Sequence, residues 1–151
     1  MTLATSNTLA QHIRDLAAAF KIHLQEVPEM PPDLGISGQL VSQRPFHERD
    51  SAIIIAPVTD ETTYAVALHE IGHCLHPLGR VHHIQGSTRF RRTGQYSTLE
   101  DVRLLLLAER SAWEWARQHA LEWTPVMDYV EQLSTDSYVK LGRRFGLRRT
   151  T

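Results

Sequence analysis

The sequence predicts an α+β domain in which a small mixed sheet of about three strands packs against one buried helix and further amphipathic helices. Three features carry this expectation. From Tyr64 to Leu75 nearly every residue other than His69, Glu70 and His73 is apolar, as in a helix with no solvated face. Ser51 to Ala56 contains Ile53, Ile54 and Ile55 in succession and stops before Pro57, which is how a central strand covered on both sides reads. Downstream, apolar residues recur at helical spacing, so the C-terminal half should be helical.

The elements follow in order. Thr8 and Gln11 have the spacing of a capping box, and Leu9, Ile13, Leu16, Ala17 and Phe20 recur at helical intervals, which predicts a helix from about 8 to 20. Between Lys21 and Val27, Ile22 and Leu24 alternate with polar neighbours, the pattern of a half-exposed strand. Pro28, Pro31, Pro32 and Gly35 make a rigid loop, Gly38 to Gln43 a second strand, and Arg44 to Asp50 a hydrophilic turn. After the isoleucine strand, Thr59 or Asp60 is placed to cap the buried helix. Beyond Pro77 the periodicity lapses for about twenty residues, long for a loop in a compact domain and suggestive of function. Ser97 and Glu100 form another capping box, opening a helix to about Ala120. Thr124 and Pro125 are the residue types of an N-cap and first helical position. A last short helix is expected from about 136 to 145, ending at Gly146.

The chain has 151 residues and reads as a single domain, 1–151, large enough to bury a core without staples. A net charge of −1 argues against wholesale nucleic-acid binding, and no apolar run approaches the length that spans a bilayer. The first residues lack the basic region and apolar core of a secretory signal. Cys74 is the single cysteine and has no intrachain partner, which suits a reducing, cytoplasmic setting. Lys140, Arg143, Arg144, Arg148 and Arg149 make the C-terminal end basic; a solvated helix face with a frayed tail is the leading reading, a contact surface for an acidic partner or a nucleic-acid backbone the alternative.

Chemistry concentrates in the buried helix. His69, Glu70 and His73 have the H-E-x-x-H spacing. At about 100° per residue a separation of four returns to the same face, so both imidazoles can converge on one ion. Glu70 lies at the edge of that face, within reach of a water there without being a ligand. Zinc takes neutral imidazole nitrogens, and a catalytic site uses three protein ligands with one open position. The ion lowers the pKa of bound water to about 7, and a neighbouring carboxylate serves as general base.

The third ligand must come from elsewhere. Val102, Leu105, Leu106, Ala112, Trp113, Ala116 and Ala120 form an apolar stripe on the next helix with Glu109 in its middle. A carboxylate aimed into a core needs a cation or hydrogen bonds, which makes Glu109 the leading candidate. Glu114 shares its face with Arg103, Arg110 and Arg117, as a solvated surface residue does. His76, His82 and His83 are alternative donors, and Tyr96 a candidate hydrogen-bond donor to an oxyanion. His12, His23, His47 and His119 have no partner spacing, and Trp113, Trp115 and Trp123 read as core.

The His69-Glu70-Ile71-Gly72-His73 helix, the preceding isoleucine strand and the later Glu109-Arg110-Ser111-Ala112-Trp113 segment resemble the gluzincin-type zinc metallopeptidases. Within them they are similar to the small ImmA/IrrE-like group of bacteria, phages and mobile elements. The resemblance covers about 50 to 120, roughly half the chain. It implies a zincin-like fold, one Zn2+ per chain on His69, His73 and Glu109, and Glu70 as general base. It also implies peptide-bond hydrolysis of a cytoplasmic protein, by analogy a regulator such as a repressor, with the substrate pairing to a sheet edge in the segment 38–43. Trp113 and the His- and Arg-rich loop depart from that group's pattern. The competing expectation is a metal-stabilised module that binds a protein partner without cutting it.

Overall fold

The computed structural model describes residues 5–28, 38–42, 51–75 and 99–144. The proline-rich loop beyond Pro28, the 44–50 turn, the loop after Pro77, the Ser97 capping residue and Arg148 and Arg149 lie outside the described residues. Those described form an α+β unit: α1 (Ser6–Ala19), β1 (His23–Glu26), β2 (Gly38–Ser42), β3 (Ser51–Ile55), α2 (Glu61–Leu75), α3 (Leu99–His119) and α4 (Pro125–Arg144). No described helix is long and apolar enough to cross a membrane.

The sheet has the order β1-β3-β2. β1 runs parallel to β3, with Leu24 opposite Ile53 and Glu26 opposite Ile55, and β2 runs antiparallel to it, with Gly38 opposite Ile55. The isoleucine strand is thus central, as its composition requires, and Ile53 and Ile55 are buried while Ile54 between them is half-buried. In β1 the alternation is visible directly: His23 and Gln25 are exposed, Leu24 and Glu26 partly covered.

Two elements differ from expectation. α1 starts two residues earlier than predicted, because Thr5 is the cap: its hydroxyl accepts from the Thr8 N–H at 3.4 Å. Gln11, the expected box partner of Thr8, instead donates to Asp15 one turn on, at 2.8 Å. The other correction is at the C-terminus, where a single helix runs from Pro125 to Arg144 in place of two. The polar run around Ser134 contains no proline or glycine to break the backbone, and the Ser137 hydroxyl donates to the Ser134 carbonyl at 2.7 Å within the continuous helix. Its start is as expected, with Thr124 Oγ1 accepting from the Met127 N–H at 3.4 Å.

α2 is the centre of the molecule. It packs against α1, α3, α4, β2 and β3, and every residue from Thr63 to Cys74 is buried. Asp60 caps it: Asp60 Oδ1 accepts from the Thr63 N–H at 2.8 Å, and Thr63 Oγ1 accepts in return from the Asp60 N–H at 3.1 Å. One residue further, Tyr64 is inserted into the core with its hydroxyl satisfied twice. The Leu121 N–H donates to it at 3.0 Å, and His12 Nδ1 is bonded to it at 2.7 Å. That one phenol ties α1, α2 and the turn before α4 together. His12, for which no partner spacing is visible in the sequence, has a buried partner 52 positions away.

The packing of α2 on α3 depends on Gly72. A Cβ there would stand 2.5 Å from the Ala112 carbonyl oxygen and 3.0 Å from Ala112 Cα, so only glycine permits this approach. Ala108, Ala112 and Ala116 supply the matching small face on α3.

Two outcomes are expected. Gly72→Ala gains helix propensity but must separate two backbones, and should lower stability by about 1–3 kcal/mol in urea denaturation. A variant as stable as wild type would show that the two helices part without penalty. Tyr64→Phe leaves the Leu121 N–H without its acceptor and should cost about 1–2 kcal/mol by the same assay.

Candidate metal centre

The close helix contact sets the geometry of the polar cluster. His69, Glu70 and His73 project from α2 and Glu109 from α3, with relative exposures of 7%, 7%, 2% and 3%. His69 Nε2 lies 2.7 Å from Glu109 Oε2, and His73 Nε2 lies 3.1 Å from Glu109 Oε1. One carboxylate therefore spans the Nε2 atoms of both histidines. The two imidazoles meet edge to face, with centroids 4.4 Å apart. Glu70 approaches His69 at the other ring nitrogen, Oε1 to Nδ1, at 3.4 Å.

Burial and charge oppose each other in this cluster, and charge prevails. Burial alone would lower the pKa of His69, but the Glu109 carboxylate, aided by Glu70, raises it to about 10. Burial would likewise raise the pKa of Glu109, yet the charges of His69 and His73 hold it well below the ordinary carboxylate range. Glu70 is also lowered, burial being outweighed by its hydrogen bond to His69. Without a metal, this is an imidazolium–carboxylate cluster in an apolar layer.

The same donor set suits a metal. His69, Glu70 and His73 offer ligand atoms within 4.8 Å of one another and can hold an ion. Glu109 adds a carboxylate already in contact with both imidazoles. Two imidazole nitrogens with carboxylate oxygens are donors that a borderline ion such as zinc accepts, and a dication would neutralise the buried carboxylates.

Of the residues expected here, the structure brings His69, Glu70, His73 and Glu109 together. Glu114 is exposed, as its position among arginines suggests. His76, His82, His83 and Tyr96 lie outside the described residues. His119 is occupied otherwise: its ring stacks on Trp115 at 3.9 Å and its Nδ1–H donates to the Trp115 carbonyl at 2.8 Å. Two contributors were missed. Gly72 has a signal in the sequence, a glycine inside an otherwise strong helix, which marks a close approach. Trp113 stacks on the His69 ring at 4.2 Å, with the planes 20° apart; its spacing of four from Glu109 places both on one face of α3, but spacing alone does not tell stacking on a ligand from packing in a core. A surface hollow beside α1, lined by residues that include Gln11, His12 and Asp15, adjoins His12 and takes no part in this cluster.

No family model, curated protein or solved structure matches the chain.

The shifted groups predict how the metal-free protein responds to pH. A raised His69 pKa contributes stability that is complete below its unfolded value of 6.5 and is lost as the pH rises through about 10. The lowered Glu109 pKa contributes stability present above its unfolded value of 4.5 and lost as the pH falls below it. Chelator-treated wild type should therefore unfold at lower urea concentration at about pH 9 than at about pH 6, and Glu109→Gln should remove most of that difference. An equal alkaline loss in both proteins would place the titration elsewhere.

Proposed function

We propose that the protein is a zinc-dependent peptidase of the gluzincin type, similar to the ImmA/IrrE-like group, with a zincin-like fold. The observation that carries this reading is Glu109 bonded to Nε2 of both His69 and His73 from a second helix. An Nε2 pair with a carboxylate in common is the arrangement a two-histidine, one-glutamate site needs. His69, His73 and Glu109 would hold the ion, one per chain. When bound, zinc supplies a Lewis acid that activates water and polarises a carbonyl.

The chain's own residues supply the rest. Glu70, buried and ionised, accepts the proton of the attacking water and returns it to the leaving amine. In the present geometry its carboxylate rests against His69 Nδ1, so that role requires the side chain to turn toward the Nε2 side. The apolar walls of α2 and α3 exclude bulk water and so strengthen these charge interactions. The proposed substrate is a protein presented as an extended strand to the sheet edge that β2 forms among the described residues, in a cytoplasmic setting.

The position of Glu70 also favours a second reading. A carboxylate on the Nδ1 side of a ligating histidine orients the ring and raises its basicity, which a metal-stabilised binding module would use without cutting anything. The two readings part at one substitution. Glu70→Gln retains the metal and abolishes peptide-bond cleavage if Glu70 is the base. Full cleavage by that variant would exclude it as base.

The metal assignment is tested by elemental analysis of protein purified without added metal. Wild type and Glu114→Ala should carry about one zinc per chain, and Glu109→Ala should lose it. Zinc retained in Glu109→Ala would move the third ligand to Glu70 or to a histidine beyond α2, and a metal-free wild type that cannot be reconstituted would exclude the centre.

A further inference from the structure

The geometry points to Trp113 as a positioning residue that fixes the ring plane of His69 for metal binding, an inference that rests on the metal-site reading above. A histidine ring turns about a broad, roughly two-fold torsion, so a ligand histidine needs something besides its own backbone to set its plane. Glu109 fixes one edge of the His69 ring at Nε2, and Glu70 touches the other at Nδ1. A ring held only at its edges can still rock about the line joining them. The Trp113 indole covers one face, 4.2 Å away and inclined by 20°, and the His73 ring meets it edge to face at 4.4 Å. Rocking would drive the face of the imidazole into the indole.

Trp113 is itself held. It is buried, its Nε1–H donates to Ser134 Oγ on α4 at 3.3 Å, and Trp123 meets it edge to face at 6.4 Å. The indole thus carries the rigidity of α4 to a ring on α2. Because Glu109 and Trp113 are one turn apart on α3, the same helix face delivers both the carboxylate and the plate against which the ring is pressed.

The test compares Trp113→Leu, which fills space without a ring face, with Trp113→Phe, which restores one. Zinc affinity is read by competition with a chromophoric chelator, and Co2+ loading gives a visible spectrum that reports ligand geometry. The leucine variant should bind zinc roughly three- to tenfold more weakly, the range expected for one lost aromatic stack, with displaced Co2+ bands. The phenylalanine variant should recover both. A folded leucine variant with wild-type affinity and spectrum overturns the inference, as does a phenylalanine variant that fails as the leucine one does. Wild-type protein supplies a reading independent of any variant: the ring-current shift of the His69 carbon-bound proton should persist when zinc is added. Its disappearance would show that the ring leaves the indole on binding and would overturn the inference. Should wild type take up no zinc at all, the metal-site reading fails first and this inference with it.

Discussion

The candidate site depends on one buried electrostatic contact, the Glu109 carboxylate reaching two imidazoles on a neighbouring helix. A carboxylate at this depth is costly in isolation, and so are two histidines. Brought together they satisfy one another: the charges of His69 and His73 hold the Glu109 pKa down, and the Glu109 and Glu70 carboxylates hold the His69 pKa up. Such clusters add little net stability compared with an apolar core of the same shape. The place of this one in the middle of the packing leaves His69, Glu70 and His73 positioned so that they could hold a metal ion.

The contact exists because two backbones approach closely. Gly72 and Ala112 face each other with no side-chain volume to spare, and this allows a short carboxylate on α3 to touch both Nε2 atoms on α2. The remaining architecture restrains α2 at its N-terminal end. Its N-terminus is capped reciprocally by Asp60 and Thr63, and Tyr64 anchors it to α1 and to the turn before α4. A helix buried on every side, and pinned at its first turn, has little freedom to slide or rotate, so the cluster is preorganised by the core itself.

The two carboxylates beside His69 are separated by ring nitrogen. Glu109 takes Nε2, the nitrogen it has in common with His73, and Glu70 takes Nδ1. Glu109 thus occupies the position where the two imidazoles converge, and Glu70 the opposite edge of the His69 ring. Trp113 adds what hydrogen bonds at the edges cannot, control of the ring's plane.

Much of this was legible from local pattern. The isoleucine run named the central strand, the apolar surroundings of His69 and His73 named the buried helix, and Glu109 stood out as a lone carboxylate in an apolar stripe. These are consequences of periodicity, which is a property of neighbouring residues and needs no third dimension. The sequence by itself therefore determined the α+β composition and which polar residues must be buried. Only the tertiary structure decided which of them touch, because that depends on how closely α2 and α3 pack and how far each is rotated. The pairing of Tyr64 with His12, the seat of Trp113 on His69 and the choice of Nδ1 for Glu70 all join groups whose contact no spacing rule encodes. The continuous last helix belongs to the same category: a separate short helix was expected from about 136, and one helix packed on α2 and α3 runs through that point.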